Sequence, residues 1–235
     1  MLGIEVSCDR DACTLRLLQH TYIEDILCCF NFDDLKPILT PMDPHLMLLT
    51  SQSLTTPEQS AIMQNISFCK AISSLIYASL GTCLDITFAV SCLSKFLQNL
   101  RLVHWEVAKH VFCYLKGMNN FWLTYGERGE NLTSWVDADD SQEEDRRAIT
   151  GYAFLIDGGA ISWNSKQQEL VVLSTTDEEY VAATHAIKEA LWLHSFILEV
   201  FGNTLAHTTI FSNNKSMIEL SKDHQYHACT KHIDI

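Results

Sequence analysis

The chain has 235 residues, 47% of them hydrophobic and 19% charged, with a formal net charge of −13. This is a folding composition and not a disordered one, and 9 Gly and 4 Pro leave little room for long flexible linkers. The acidic balance is the wrong sign for a free-standing nucleic-acid binder, so a nucleic-acid partner requires divalent metal, a basic neighbour, or both.

In chain order, Thr14 to Asn31 reads as a short strand passing into a helix that holds Tyr22, Ile26, Leu27 and Phe30. Leu35 to Leu49 contains Pro37, Pro41 and Pro44 and reads as an irregular connection. "TTPEQ" is a helix start: Thr56 suits the N-cap, Pro57 the first helical position, and Gln59 closes a capping box. Ile62, Ile66, Ile72, Leu75, Ile76 and Leu80 continue a helical stripe that Gly81 ends. A second helix is expected over about 86–97 and a third over about 103–116, with Gly117 as C-terminal cap.

After "YGERGEN" the period changes. "LTSWV", "ITGYAFLI" and "AISWNS" read as three strands, the last two joined by a "DGG" hairpin turn. A long helix follows over about 177–200, with Thr175 and Thr176 as N-cap candidates and Gly202 as its stop. The strand 207–211 and a short helix to about Lys222 complete the order β-β-β-α-β-α, which implies a mixed sheet with helices packed on it. Ser212 and Asn213 are candidate caps of that last helix.

No apolar run reaches the length of a membrane span, and the opening residues lack a signal peptide's pattern. The expectation is a soluble intracellular protein, with no membrane partner and no signal choosing between cytoplasm and nucleus. The nine cysteines form no C-x-x-C pair, and they read as reduced core thiols. Their odd number excludes complete internal pairing.

Three junctions carry polar chemistry. Asp137 stands where the first strand of the second half ends, Glu179 in the first turn of the long helix, and Asn213 just after the last strand. Acids so placed can converge on Mg2+ or Mn2+, which prefer oxygen ligands, and two such ions can orient water against a phosphodiester. Taken singly, each acid has a plainer reading: Asp137 as a solvated strand-end acid, Glu179 as a helix-start acid favoured by the macrodipole. Asn213 is the exception, a neutral amide where a third acid is expected. His224, His227, Cys229 and His232 match no common closed zinc site. The five tryptophans, Trp105, Trp122, Trp135, Trp163 and Trp192, read as mostly core, with base stacking by one of them left open. No small-molecule substrate is evident.

Several ordered motifs together resemble one family. "SWVDADD" with "RRAITGYAFLIDGGAISWNSKQQ", "LSTTDEEYVAATHAIKEALWL" and "IFSNNKSMIELSKDHQYHACTKHIDI" resemble the RNase H region at the C-terminal end of copia-type LTR retrotransposon Pol polyproteins. "SLIYASLGTCLDITFAVSCLSKFLQN" and "HWEVAKHVFCYLKG" resemble the helical connection that precedes it.

The resemblance implies an α/β (α+β) fold in two parts. Residues 1–126 correspond to the reverse transcriptase C-terminal, connection-like region, and residues 127–235 to an RNase H-like domain that stops before its fifth strand. It implies Asp137 and Glu179 as ligands of Mg2+ or Mn2+, Asn213 as a degenerate third catalytic position, and an RNA–DNA hybrid and other Pol segments as partners. The family's fourth acid falls beyond Ile235 and the paired aspartates of the polymerase fall before Met1. Asp234 is not assigned to the missing role. "GTCLD" departs from the family's Arg-Pro before Asp85, which puts a structural contact there in question. The expected activity, hydrolysis of RNA in RNA–DNA hybrids, is impaired or lost. The alternative is a non-catalytic nucleic-acid- or protein-binding module, or a gene fragment without function.

Overall fold

The computed structural model describes residues 3–43, 46, 48, 66–98, 100–126, 132–139, 147–172, 174–202 and 207–222. The chain divides into two compact units, Met1–Thr124 and Tyr125–Ile235. The fold class is α+β, with helices, one three-stranded sheet and one four-stranded mixed sheet.

The first unit opens on an antiparallel hairpin of β1 (Glu5–Asp9) and β2 (Thr14–Leu18). The Asp9 carboxylate closes its turn by accepting from the backbone N–H groups of Asp11 and Ala12, each at 3.0 Å. β3 (Leu123–Tyr125) completes a sheet in the order β1-β2-β3. Among the described residues, four α-helices supply the core: α1 (His20–Cys29), α2 (Phe68–Gly81), α3 (Thr87–Ser94) and α4 (Leu102–Met118). Ile23, Phe68, Ile72, Leu75, Leu93, Phe112 and Leu115 bury their side chains there.

The helix start expected at Thr56 and Pro57 lies outside the described residues, as does Ile62. Helix α2 begins only at Phe68, because Ile66 and Ser67 are not helical. Its stripe is shorter than the sequence indicates: Ile72 and Leu75 are buried, but Leu80 is 69% exposed. The second helix also shortens, to a 3-10 turn (Leu84–Ile86) leading into α3. Asp85 keeps a partner despite the changed residues before it, since the Tyr114 hydroxyl donates to its carboxylate.

Gly117 does not cap α4; the helix runs past it to Met118. The missing side chain serves packing instead, since a Cβ at Gly117 would stand 3.2 Å from the Pro37 ring. His104 is fully buried in the first turn of α4. Its Nδ1 accepts from the Arg101 backbone N–H at 3.2 Å and its ring stacks on Phe96. Burial, then the nearby Arg101 charge, push its pKa down to about 4.

Gln19, also fully buried, ties the start of α1 to the end of α2. Its Oε1 accepts from both the backbone N–H and the hydroxyl of Thr82, each at 2.9 Å. A Cβ at Gly81 would lie 2.5 Å from that amide. Gly81→Ala is therefore expected to destabilise the first unit by about 1–3 kcal/mol through overpacking. Urea denaturation measures it, and a loss below about 0.5 kcal/mol would show that the Gln19 amide is free to move aside.

The second unit is built from β4 (Leu132–Asp139), β5 (Ile149–Ile156), β6 (Gly159–Gln167), α5 (Thr175–Phe201), β7 (Thr208–Phe211) and α6 (Lys215–Lys222). The sheet order is β6-β5-β4-β7, with β4 antiparallel to β5 and parallel to β7. Asp157, at φ 49°, and Gly158, at φ 78°, make the β5–β6 hairpin turn the sequence indicates. Leu132, Val136 and Phe154 pack against Ala182, Ala186, Ala190 and Leu193 of α5. The small residues let helix and sheet approach closely.

Both helix starts in this unit are capped one residue away from the expectation. Ser174, not Thr175 or Thr176, caps α5: its Oγ accepts from the Asp177 N–H at 3.2 Å and donates to the Asp177 carboxylate at 2.8 Å. Asn214, not Ser212 or Asn213, caps α6 by accepting from the Met217 N–H at 2.9 Å. Gly202, at φ 69°, stops α5 as expected.

The core assignments for cysteine and tryptophan need correction. The eight described cysteines form no disulfide, but among them only Cys92 is buried, and Cys8, Cys13, Cys28, Cys29 and Cys69 are exposed. Trp122, Trp135 and Trp192 are likewise exposed. Helical and strand spacing set which residues share a face, not whether anything covers it.

Candidate functional site

Three elements of the second unit bring the sequence-identified polar residues together. Asp137 stands on β4 two residues before the strand ends, exposed to solvent. Glu179 lies in the first turns of α5, only 5% exposed. Asn213 follows β7, whose last residue, Phe211, pairs in register with Trp135. Because β4 and β7 run parallel, that register puts Asp137 and Asn213 side by side. The Asn213 amide donates to the Asp137 carboxylate at 3.4 Å.

The electrostatics of the cluster follow from its burial. Glu179 has a pKa raised to about 7, first by desolvation and then by the Asp137 charge. The Ala138 backbone N–H donates to it and works the other way, while a hydrogen bond with Asp137 favours the protonated acid. Glu179 Oε2 is buried without a partner. An unpaired carboxylate oxygen beside a second carboxylate is an arrangement that a cation relieves. Among the described residues, no group of three or more His, Cys, Asp or Glu gathers where it could hold a metal ion. The cluster is two acids and an amide.

The sign of the pH effect is fixed by the raised folded pKa. Glu179 contributes full stability below its unfolded value near 4.5, and that contribution falls as pH rises through about 7. Glu179→Gln is therefore expected to stabilise the second unit by about 2 kcal/mol at pH 8 and to change little at pH 4. Thermal denaturation in EDTA at the two pH values reads this. Equal stability of the two proteins at pH 8 would mean that Glu179 carries no buried charge.

Two parts of the site were not legible as functional residues. Trp135 and Phe211, both about half exposed, stack with ring centroids 5.3 Å apart. With Asp137, Tyr152 and Asn213 they line a cavity of about 510 Å3. Alternation along "SWVD" placed Trp135 and Asp137 on one side of the strand, and that was the available signal. Gln168, from "SKQQ", is buried and donates to the Thr150 hydroxyl at 3.0 Å and the Glu178 carbonyl at 2.9 Å. It pins the first turn of α5 to the sheet and so orients Glu179. No spacing rule singles it out. His224, His227, Cys229, His232 and Asp234 lie outside the described residues.

Three relatives match the chain over long stretches. It is 40% identical over its full length to the retrovirus-related Pol polyprotein from transposon TNT 1-94 of Nicotiana tabacum, and 31% identical over its full length to that from transposon RE1 of Arabidopsis thaliana. The chain belongs to the copia-type retrotransposon Pol family. It spans 18% and 16% of those two Pol polyproteins. This Pol-related chain is also 36% identical, over 56% of its own residues, to secreted RxLR effector protein 161 of Plasmopara viticola, of which the match covers 94%. No family model matches the chain, and no solved structure does. Among the described residues, no helix of this retroelement-derived protein is long and apolar enough to cross a membrane.

Proposed function

We propose that the second unit is an RNase H-like module whose ancestral activity is metal-dependent hydrolysis of RNA in RNA–DNA hybrids, and that Asn213 leaves it with little or none of that activity. One observation carries the reading: Asp137 on a strand, Glu179 on a helix and Asn213 just past the neighbouring parallel strand meet in one cluster. Sheet order and helix placement agree with it, and the Pol relatives supply the context. The first unit is then the connection-like region that precedes such a module.

The residues present fit one divalent cation and not two. Glu179 Oε2, buried and unpartnered, and the Asp137 carboxylate offer two hard, charged oxygens. The Asn213 amide offers at most a neutral carbonyl. Mg2+ or Mn2+, held by Asp137 and Glu179, would supply charge neutralisation at a phosphodiester and an oriented water. This chain's own residues do the remaining work. Gln168 fixes the start of α5, the Ala138 N–H holds Glu179, and Trp135 and Phe211 form an aromatic wall beside the acids. The Asn213 N–H occupies a lone pair of Asp137 that an ion would otherwise use.

The test is cleavage of a labelled RNA–DNA hybrid by the full chain with magnesium or manganese, beside Asp137→Asn. The expected result is no turnover above that of the variant. Turnover that Asp137→Asn abolishes would overturn the loss of activity while retaining the site. A second reading, a non-catalytic module that binds nucleic acid or protein, is favoured by the amide at 213. It requires hybrid affinity that ignores both EDTA and Asp137→Asn.

A further inference from the structure

Val136 packs against α5, so its strand neighbours Trp135 and Asp137 turn to the opposite face of the sheet. Phe211 joins Trp135 there through the parallel register of β4 and β7. On the other side, Gly151 and Ala153 of β5 stand opposite Asp137 and Trp135, and their small size keeps the floor low. These residues line the cavity of about 510 Å3. The two rings stack at 5.3 Å with an interplanar angle of 29°, and each remains about half exposed.

The charge around the rings has one sign. Asp137 is the only charged residue among the described residues lining the cavity. Glu179 meets it from α5, buried, with Oε2 unpartnered. The unit as a whole carries 18 acidic and 8 basic residues, a net of −10. A nucleobase on these rings would bring its phosphate into that field. An apolar surface laid over them would strip water from the Asp137 carboxylate and offer nothing in return. A cation satisfies both features, because the faces of Trp and Phe attract positive charge and the carboxylate pairs with it.

We propose that this cavity takes an arginine side chain of a basic protein segment. The planar guanidinium lies against Trp135 and Phe211 and donates to the Asp137 carboxylate. Arginine fits better than lysine because it is flat, weakly hydrated and able to stack and donate at once. The inference rests on the second, protein-binding reading above and names its class of partner. Failure of that reading shows separately, as hybrid cleavage that Asp137→Asn abolishes.

NMR titration of the isotope-labelled full chain in EDTA tests it, with the Trp135 indole N–H and the Gly151 amide as reporters. The probes are a blocked peptide Gly-Ser-Arg-Ser-Gly and the same peptide with lysine or citrulline in place of arginine. Citrulline keeps the planar shape and removes the charge. Saturable shifts at both reporters are expected with arginine, with affinity lower by about threefold for lysine and about tenfold for citrulline. Trp135→Leu, which keeps every charge, is expected to weaken the arginine peptide about fivefold, read at Gly151, and Asp137→Asn about tenfold. The citrulline comparison changes no protein residue, so it stands even if a variant folds poorly. Equal binding of the arginine and citrulline peptides, no saturable shift at Trp135, or binding that Trp135→Leu leaves intact overturns the site. A short oligoadenylate that shifts the Trp135 signal where the arginine peptide does not would assign the rings to a nucleobase and overturn it as well.

Discussion

Asn213→Asp is expected to raise magnesium-dependent cleavage of an RNA–DNA hybrid by about a hundredfold or more over the parent chain. The substitution is nearly isosteric, so the backbone after β7 has no reason to move. It replaces an amide that donates to Asp137 at 3.4 Å by a third carboxylate beside Asp137 and Glu179. Three like charges repel one another in buffer without metal, so the variant is also expected to melt lower in EDTA and to recover with magnesium. The recovery separates a restored ion site from simple damage. A variant that melts like the parent in EDTA and gains nothing from magnesium would show that position 213 does not face the other two acids.

Phe112→Ala is expected to destabilise the first unit by about 3–5 kcal/mol, a large share of the stability of a domain this size. Phe112 is fully buried on α4, with the Phe30 and Phe32 rings 5.3 Å and 5.2 Å away. Truncation leaves a cavity beside the Phe30 and Phe32 rings, which follow α1. Urea denaturation followed by tryptophan fluorescence measures it, with Trp105, 5.8 Å from Phe32, as the local reporter. Phe121→Ala, at a residue 65% exposed, is the control and is expected to cost less than about 0.5 kcal/mol. Equal losses in the two variants would contradict the packing described for α4.

The elements of the second unit were legible because short-range rules fix them. Alternation marks β4 to β6, an Asp-Gly pair marks the hairpin, and Gly202 marks the stop of α5. Cap residues were harder, because Ser174, Thr175 and Thr176 all have the right chemistry. Each also has an acid three residues on, Asp177, Glu178 or Glu179, so no local rule chooses among them; the structure closes the box between Ser174 and Asp177. In the first unit the sequence pointed to Gly117 as a cap, yet its lack of a side chain answers Pro37, a residue eighty positions earlier. Long-range contact of that kind leaves no local trace.

The same division holds in the site. Asp137, Glu179 and Asn213 were marked by position at element ends together with resemblance, and the structure brings them together. The roles of Trp135, Phe211 and Gln168 depend on register and on the packing of α5, which no single segment encodes.

The most direct measurement of the cluster is Mn2+ binding, read by electron paramagnetic resonance at pH 8, where Glu179 is ionised. The parent chain is expected to bind one ion weakly, Asp137→Asn to lose it, and Asn213→Asp to bind about tenfold or more tightly. Mn2+ affinity that is the same in all three proteins would contradict the claim that Asp137, Glu179 and residue 213 share one ion site.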